Sequence, residues 1–281
     1  MKRNYSFEHS GATLYLVATP IGNLEDMTFR AVRILKSVSY IYAEDTRNSG
    51  VLLKHYDINT PLRSYHEFNK ELKDKEIIDL LKSGSDIAII SDAGNPVISD
   101  PGYNICVSAI DNDIPVTTIP GPCAYITALV SSGIAPMPNT FVGFLDSKKT
   151  KRIEALEELK YVENTLIFYE APHRILETLN DMLEVFGDRY ICLARELTKK
   201  FEELIRGKIS EILKDQSLLK GEMVIVVSGY ENNNNLDINP FEKIDELIKL
   251  GYKPNDAIKD VSKMLGLDRR ELYKKYIEYK G

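Results

Sequence analysis

Short apolar runs alternate with segments of helical periodicity through most of this chain. Apolar runs of this length, bounded by glycine, proline or polar residues, are typical of strands that are buried on both faces. Their regular alternation with helical segments predicts an α/β fold with mostly parallel sheets covered by helices. The predicted strands are residues 13–18, 40–43, 86–91, 115–119, 140–145, 165–169, 190–194 and 223–228, with an added strand at 201–207.

The order of these segments predicts three parts. A chain of 281 residues is long enough for two compact lobes. We expect an N-terminal α/β lobe at residues 11–119 and a C-terminal α/β lobe at residues 120–230. A polar, asparagine-rich run predicts a linker at residues 231–239. Residues 240–281 then show three short helical patterns, which predict a small helical domain that resembles a helix-turn-helix unit.

Composition and spacing exclude several classes of protein. No apolar run reaches the ~18 residues of a membrane span, and no apolar stretch of a signal peptide follows Lys2 and Arg3. We therefore expect a cytoplasmic protein with no membrane partner. Cys106, Cys123 and Cys192 form no CxxC pair, and the histidines show no HxxxH or HExxH spacing. The sequence therefore predicts no metal site.

Charge is unevenly distributed along the chain. The net charge of −6 argues weakly against a nucleic-acid partner, yet residues 240–281 carry ten basic and eight acidic residues, a local charge of +2. Cations could contact RNA phosphates there and aromatic rings could stack on bases. The alternative is an amphipathic helix in which Leu272, Tyr276 and Tyr279 form a core stripe, and both interpretations stay open. The residues concerned are Lys263, Arg269, Arg270, Lys274, Lys275 and Lys280, interleaved with Tyr273, Tyr276 and Tyr279.

Glycine and proline cluster directly after three predicted strands, at residues 18–23, 91–102 and 119–124. In an open parallel sheet, ligands bind at the carboxyl ends of the strands. Glycine lets the backbone approach a ligand there, and proline fixes the shape of the loop. One such loop could be only a tight turn, but three in one half of the chain favour a ligand site. No GxGxxG follows the first strand and no GxxxxGK[ST] occurs, which argues against a dinucleotide fingerprint and against ATP hydrolysis.

Several stretches in a fixed order carry a resemblance to a known family. They are LYLVATPIGNLEDMTFRA from Leu14, AEDTRNSGVLL from Ala43, IISDAGNPVISDPG from Ile89, TIPGPCAYITAL from Thr118, FVGFL from Phe141, TLIFYEAPHRI from Thr165, ARELTKKFEE from Ala194 and GEMVIVVSG from Gly221. With these motifs the chain resembles the tetrapyrrole methylase superfamily, the class III methyltransferases, and within it the members that modify ribosomal RNA. The SDAGxPxISDPG block together with YEAPHR is the most specific part.

The resemblance implies a two-lobed class III methyltransferase fold with S-adenosylmethionine folded in the cleft between the lobes. It implies methyl transfer to the ribose 2′-oxygen of a cytidine in 16S rRNA, within the small ribosomal subunit, by a homodimer. Because the sulfonium methyl group is already activated, positioning is the main demand on the enzyme, and no metal is needed. The implied cofactor contacts are Pro20, Asp92, Gly94, Asn95, Val97, Ile98, Cys123, Ala124, Tyr169, Ala194 and Met223.

A ribose hydroxyl is a poor nucleophile until its proton leaves, so a general base or a group that stabilises the developing alkoxide would help. Each candidate also has a structural interpretation. Glu170 and Arg174 could form an ion pair at a helix start, and the residues around Asp45 could cap the next helix. The candidates beside predicted strand ends are Glu44, Arg47, Glu170, Arg174 and Arg195, followed by Asp45, His173 and Glu196.

Two other functions remain open at the level of sequence. An enzyme of the same superfamily that methylates a tetrapyrrole precursor would use the same loops. The EDTR and YEAPHR blocks and the helical tail favour RNA over that substrate. A non-catalytic nucleotide- or RNA-binding protein on this scaffold would bind S-adenosylmethionine weakly or not at all, which the intact cofactor loops disfavour.

Overall fold

A computed structural model describes residues 11–66, 69–214, 221–231, 239–265 and 267–280 of the chain. The chain divides into two compact units, Met1–Gly229 and Tyr230–Gly281. Within the described residues, the first unit contains two five-stranded sheets and the second contains three helices. The α/β class and the C-terminal helices predicted from the sequence are confirmed.

The first sheet is parallel throughout, because a helix after each strand returns the chain to the same edge. Its strands are β1 (Leu14–Val17), β2 (Tyr40–Ala43), β3 (Leu62–Ser64), β4 (Ile87–Ile90) and β5 (Val116–Ile119), in the order β3-β2-β4-β1-β5. The helices that connect them are α1 (Phe29–Ser37), α2 (Thr46–His55), α3 (Lys70–Lys82) and α4 (Tyr103–Asp111). The strands β1 and β4 are neighbours at the centre of the sheet. After β1 the chain crosses toward β2, and after β4 it crosses in the opposite direction, toward β5.

Side chains of the first sheet alternate between two apolar layers, as the twofold repeat of a strand requires. All four residues of β4 are buried. Ile89 belongs to one apolar cluster with Ile105 of α4, and the next residue, Ile90, belongs to the opposite cluster with Leu35 of α1. Since both faces of the sheet are covered, polar chemistry in this lobe is confined to the ends of the strands.

The second sheet departs from the prediction. Only β6 and β7 are parallel, whereas β7–β10, β10–β8 and β8–β9 are antiparallel, so the prediction of a mostly parallel second sheet is wrong. The connection from β8 to β9 shows why, because residues 196–202 are too few for the crossover of a dozen or more residues that a parallel neighbour needs. The strands are β6 (Asn139–Phe144), β7 (Thr165–Glu170), β8 (Tyr190–Arg195), β9 (Glu203–Lys208) and β10 (Met223–Val227), in the order β6-β7-β10-β8-β9.

Helices cover both faces of the second sheet. One apolar cluster joins Phe168 and Ile225 to the long helix that follows β7, and the opposite cluster joins Val224 and Ala194 to Ile21 of the first lobe. The second cluster therefore holds the two lobes of this unit together beside the ends of β1 and β8. The helices are α5 (Ala124–Ser132), α6 (Lys149–Leu159), α7 (Ile175–Phe186) and α8 (Ile209–Ile212).

A buried ion pair fixes α6 against α7. Arg152 Nε donates to Asp181 Oδ2 at 2.6 Å, and both side chains are no more than 5% exposed. Arg152 Nη1 also donates to the carbonyl oxygen of Ser147 at 3.2 Å. A buried charge that loses its partner is strongly destabilising. The pair therefore holds α7 in place, and the turn before α7 belongs to the candidate site.

The second unit consists of α9 (Pro240–Lys249), α10 (Pro254–Leu265) and α11 (Arg269–Lys280). Asp268 caps α11 by accepting hydrogen bonds from the backbone of Arg270 and Glu271, each at 2.9 Å. Residues 232–238 of the predicted linker lie outside the described residues. No described helix is long and apolar enough to span a membrane. The three helices share a buried core made of Ile244, Ala257, Ile258, Val261, Leu272 and Tyr276.

The tyrosines of α11 have different environments. The hydroxyl of Tyr276 is buried and donates to Asp245 of α9. The ring of Tyr279 stacks on Phe241, with 4.9 Å between the ring centroids. Tyr273 is exposed to solvent. Tyr276 is therefore a core residue of this helical unit, whereas Tyr273 and Tyr279 are 45% and 50% exposed and can both contact a partner.

Candidate functional site

A cleft of about 550 Å³ opens where the carboxyl ends of β1 and β4 face the second sheet. A crevice forms at this edge because the chain leaves these two strands in opposite directions. The ends of β7 and β8 and the start of antiparallel β10 reach the same cleft from the second lobe. It is lined by Ile21, Ala93, Gly94, Asn95, Ile98, Ser99, Asp100, Cys123, Ala124, Phe144, Tyr169, Glu170, Ala171, Pro172, His173, Ala194, Leu197, Glu222, Met223 and Val224.

Most of the residues expected to contact the cofactor meet in this cleft, although they are far apart in sequence. Pro20, Asp92 and Val97 do not line it. Those that do are Gly94, Asn95, Ile98, Cys123, Ala124, Tyr169, Ala194 and Met223.

Backbone contacts join the three glycine- and proline-rich loops into one wall. The N–H of Thr19, next to Pro20, donates to the carbonyl of Gly94 at 2.8 Å, and the N–H of Gly94 donates back to Thr19 at 3.0 Å. Gly94 has a φ of 80°, a conformation that glycine adopts without strain. Asn95 Nδ2 donates to the carbonyl of Pro122 at 3.1 Å. The loops after β1, β4 and β5 are therefore held in register before any ligand binds.

The turn that follows Asn95 is strained. Val97 and Ser99 have φ values of 77° and 64°, which are uncommon for residues other than glycine and unfavourable for a β-branched side chain. The turn is also tight, since a Cβ atom at Gly102 would lie 3.0 Å from Cγ2 of Val97. This backbone brings Ile98, Ser99 and Asp100 to the wall of the cleft.

Asp92 acts outside the cleft. Its Oδ1 accepts from the N–H of Asp45 at 3.3 Å, and its Oδ2 accepts from Asn48 Nδ2 at 3.4 Å. These long hydrogen bonds connect the loop after β4 to the start of α2. The geometry therefore gives Asp92 a role in positioning the loop after β4.

Asp100 is the feature of the cleft that sequence reasoning missed. Burial and, to a smaller extent, the negative charges of Glu44 and Asp92 raise the pKa of its carboxyl group to about 7. Within the described part of the chain, no basic side chain forms an ion pair with it. A partly buried carboxylate among other acids, at the wall of a cavity, is suited to a cationic ligand. The sequence feature that could have indicated Asp100 is its position inside the glycine- and proline-rich loop at residues 91–102.

Two aromatic rings form an apolar wall of the cleft. Phe144 ends β6 and is 57% exposed. Its ring centroid lies 5.4 Å from that of Tyr169. Burial raises the pKa of the Tyr169 hydroxyl to about 12, so the phenol is neutral at physiological pH. The wall suits a flat ring such as a nucleobase.

Glu170 and Arg174 form the ion pair that their spacing indicated, with 3.3 Å between Glu170 Oε1 and Arg174 Nε. The buried carboxylate also accepts from Thr178 Oγ1 at 2.5 Å and from the N–H of Ala171 at 2.8 Å. Arg174 Nη2 donates to the carbonyl of Leu145 at 2.7 Å. This bonding favours a structural role at the start of α7 for both residues.

The other charged candidates lie outside the cleft. Asp45 caps α2 by accepting from the N–H of Arg47 at 2.8 Å, and the hydrogen bonds from Arg47 lower the pKa of Asp45 to about 2. The Arg47 side chain is 88% exposed. Arg195 Nε donates to Glu203 at 2.5 Å, and Glu196 is paired with a lysine.

Among the residues considered for proton transfer, His173 lines the cleft and is exposed to solvent. It directly follows Pro172 in the turn between β7 and α7. An imidazole in this position can accept a proton from a ligand hydroxyl. Among the described residues, no group of histidine, cysteine, aspartate and glutamate side chains is arranged to hold a metal ion.

Comparisons of sequence support one family. The family model of the tetrapyrrole (corrin/porphyrin) methylases matches residues 13–213. The chain is 47% identical to ribosomal RNA small subunit methyltransferase I of Streptococcus pyogenes serotype M1, over 98% of each chain. It is 46% identical to the protein of the same name from Bacillus subtilis, again over 98% of each chain. The Haemophilus influenzae protein of that name is 45% identical over 92% of this chain and 94% of its own.

Comparisons of structure support the same fold. Uroporphyrin-III-C-methyltransferase from Thermus thermophilus superposes with a TM-score of 0.57 at 18% identity, over 77% of this chain and 94% of its own. A diphthine synthase superposes with a TM-score of 0.60 at 11% identity, over 77% and 90%. At such identities the likeness concerns the fold alone. Taken with the match of the family model over most of the first unit, these results show that the chain belongs to the tetrapyrrole methylase family.

Proposed function

We propose that this protein transfers the methyl group of S-adenosylmethionine to the ribose 2′-oxygen of a cytidine in 16S rRNA of the small ribosomal subunit. The observation that carries the proposal is identity of 46–47% over 98% of each chain with proteins named ribosomal RNA small subunit methyltransferase I. The solved structures named for tetrapyrrole substrates are at most 22% identical among those compared, so they favour no tetrapyrrole substrate here.

The cleft fits S-adenosylmethionine on chemical grounds. This molecule carries a sulfonium and an ammonium group, and Asp100 is an acidic wall residue that lacks an ion-pair partner among the described residues. Gly94 brings backbone to the cleft without a side chain, and Phe144 with Tyr169 offers flat apolar surface. The volume of about 550 Å³ lies in the range of small-molecule sites.

Positioning is the main task of this chain in the reaction. When bound, S-adenosylmethionine supplies a methyl group that is already activated by the adjacent sulfonium. The loops after β1, β4 and β5 hold their relative positions through the Thr19–Gly94 and Asn95–Pro122 hydrogen bonds. Such a preformed wall can keep donor and acceptor aligned without a reorganisation cost at the moment of transfer.

His173 is the residue that we assign to the proton of the ribose hydroxyl. It lines the cleft, whereas Glu44, Arg47 and Arg195 do not. Glu170 also lines the cleft, but its carboxylate already accepts hydrogen bonds from Thr178 and Ala171. An imidazole in its neutral form can accept the proton as the oxygen attacks.

We also propose that the protein acts as a cytoplasmic homodimer. Exposed apolar side chains support a partner surface on α5 and the segment that follows it, where Ile126, Val130 and Met137 lie in contact with solvent. Light scattering of the purified protein tests this proposal, since a mass of 31.9 kDa in solution would contradict it.

Methyl transfer in vitro tests the proposed function. Small subunits from cells that lack the gene should accept labelled methyl groups from S-adenosylmethionine at one cytidine ribose, and a porphyrinogen should not. His173→Gln should lower kcat about 100-fold, within the range for a general base, and leave cofactor affinity unchanged. Transfer to the porphyrinogen, or no transfer with measurable cofactor binding, would contradict the assignment.

A further inference from the structure

The loop between β8 and β9 has a fixed shape. Its backbone turns through two residues of positive φ, Glu196 at 49° and Thr198 at 65°. The N–H of Lys199 donates to the carbonyl of Glu196 at 3.0 Å, and the N–H of Glu202 donates to that of Lys199 at 3.0 Å. Glu202 Oε2 in turn accepts from the N–H of Thr198 at 2.5 Å. The side chains of this loop are therefore presented from a rigid turn.

This loop forms part of the rim of the cleft. Leu197 lines the cleft from the second lobe, and Ile21 lines it from the loop after β1. Gly22, which follows Ile21, packs against Thr198 and Lys199, which follow Leu197. A Cβ atom at Gly22 would lie 2.6 Å from Cγ of Lys199 and 2.9 Å from Oγ1 of Thr198. Lys199 therefore lies beside the rim of the cleft, and Lys200 and Phe201 follow it directly in the chain.

The two lysines of the loop differ in their partners. Lys199 Nζ is paired with Glu196 at 3.0 Å and with Glu222 at 2.9 Å. Lys200 is exposed, and no carboxylate of the described residues forms an ion pair with it. Its Nζ lies 5.6 Å from the ring centroid of Phe201, which is 66% exposed. A lysine that has no carboxylate partner among the described residues and an exposed aromatic ring thus lie side by side, next to the rim of the cleft.

We propose that Lys200 and Phe201 dock a nucleotide of the substrate strand next to the one that enters the cleft. The ring of Phe201 stacks on a base, and the ammonium group of Lys200 contacts a phosphate of the same strand. Single exposed aromatic residues are common on protein surfaces. Here the rigid turn, the adjacent cation and the position at the rim together indicate a contact with RNA. This inference rests on the proposed function.

The chain contains a control for the aromatic side chain at the opposite end of the second sheet's strands. The lysine beside it, Lys160, is paired with Glu157 at 3.2 Å, so the control concerns the ring alone. Tyr161 is 67% exposed, and Lys160 Nζ lies 5.9 Å from its ring centroid. Tyr161 precedes β7, whereas the cleft lies at the end of β7. A general effect of removing an exposed aromatic ring would appear in variants of both Tyr161 and Phe201. A loss of RNA docking beside the cleft would appear only in variants of Lys200 and Phe201.

The test uses the full chain and small ribosomal subunits that lack the modification. Phe201→Ala should raise KM for the subunit about ten-fold, within the effect of losing one stacked base, while kcat and affinity for S-adenosylmethionine stay within two-fold of the wild type. Phe201→Trp should restore KM, and Lys200→Ala should raise KM more at low salt than at high salt. Tyr161→Ala should match the wild type.

The outcomes separate this inference from the proposed function. If the wild type methylates the subunit but Phe201→Ala leaves KM unchanged, or Tyr161→Ala raises KM equally, the docking role is wrong and the proposed function stands. A wild type that binds S-adenosylmethionine but does not methylate the subunit would overturn both. Because the side chain of Phe201 is largely exposed, the melting temperature of each variant should stay close to that of the wild type.

Discussion

Replacement of Asp100 by asparagine should strengthen the fold and weaken cofactor binding. Burial and neighbouring acids raise the pKa of this carboxyl group from 3.8 to about 7. The folded protein therefore holds a proton that the unfolded chain has released between about pH 4 and pH 7. The stability that Asp100 contributes is therefore fully present below about pH 4 and is lost as the pH rises through 7.

The magnitude follows from the size of the shift. One pKa unit corresponds to about 1.4 kcal/mol, so a shift of roughly three units sets an upper bound near 4 kcal/mol. Partial exposure of Asp100 reduces this value, and we expect Asp100→Asn to raise the free energy of unfolding by about 1–2 kcal/mol at pH 8. For a protein of this size, that gain corresponds to roughly 2–6 °C in Tm.

Binding of S-adenosylmethionine should show the opposite trend. If the ionised carboxylate pairs with the cationic ligand, affinity should fall about ten-fold between pH 8 and pH 6, since protonation removes the charge. Asp100→Asn should weaken binding at pH 8 and remove most of this pH dependence. Calorimetry at several pH values measures both effects, and thermal unfolding measures the gain in stability.

Asp57→Asn is the matched control, because Asp57 is exposed at the end of α2 and lies outside the cleft. It should leave affinity and its pH dependence unchanged. Wild-type affinity and pH dependence in Asp100→Asn would show that Asp100 does not pair with the cofactor. A lower Tm at pH 8 would refute the assignment of an uncompensated carboxyl group.

Gly94→Val should weaken S-adenosylmethionine binding at least ten-fold, because φ is 80°, a conformation that is strained for a β-branched residue. Unchanged affinity in the folded variant would contradict this. Asp181→Ala should lower the free energy of unfolding by about 3 kcal/mol in denaturant titrations, because Arg152 stays buried without its closest carboxylate; a change below about 1 kcal/mol would show that the site relaxes. A chain that ends at Tyr230 should keep its cofactor affinity but bind small subunits more weakly, with a shallower dependence on salt. If its subunit affinity is unchanged, the helical unit does not contact RNA. EDTA should leave methyl transfer intact, with magnesium controlled for the RNA, and recovery specific to zinc would contradict this.

Apolar patterning predicted most of the strands, since buried strands such as β4 and β10 are continuous runs of aliphatic residues. β3 was not predicted, because its residues Leu62, Arg63 and Ser64 carry no apolar run. Strand direction in the second sheet also escaped prediction. Periodicity reports which residues are buried and says nothing of pairing, and the length of the connection at residues 196–202 was the informative feature.

The glycine- and proline-rich loops correctly predicted the position of the cleft, whereas charged residues alone did not predict which side chains line it. Gly94 and Ala124 line the cleft as expected, but Asp92 turns toward α2. A charged residue at a strand end can serve either in catalysis or in capping the next helix, and the sequence does not distinguish these two roles. Asp45 and Glu170 are both engaged at helix starts, whereas Asp100 becomes notable only when burial and its acidic neighbours are known.

Mapping of ribose methylation in 16S rRNA tests the central claim most directly. Ribosomal RNA from cells with and without this gene can be digested and compared by mass spectrometry. We predict that one 2′-O-methylcytidine is lost without the gene, that the wild-type gene restores it, and that the Gly94→Val variant does not. Identical 2′-O-methylation of 16S rRNA in both strains would contradict the claim.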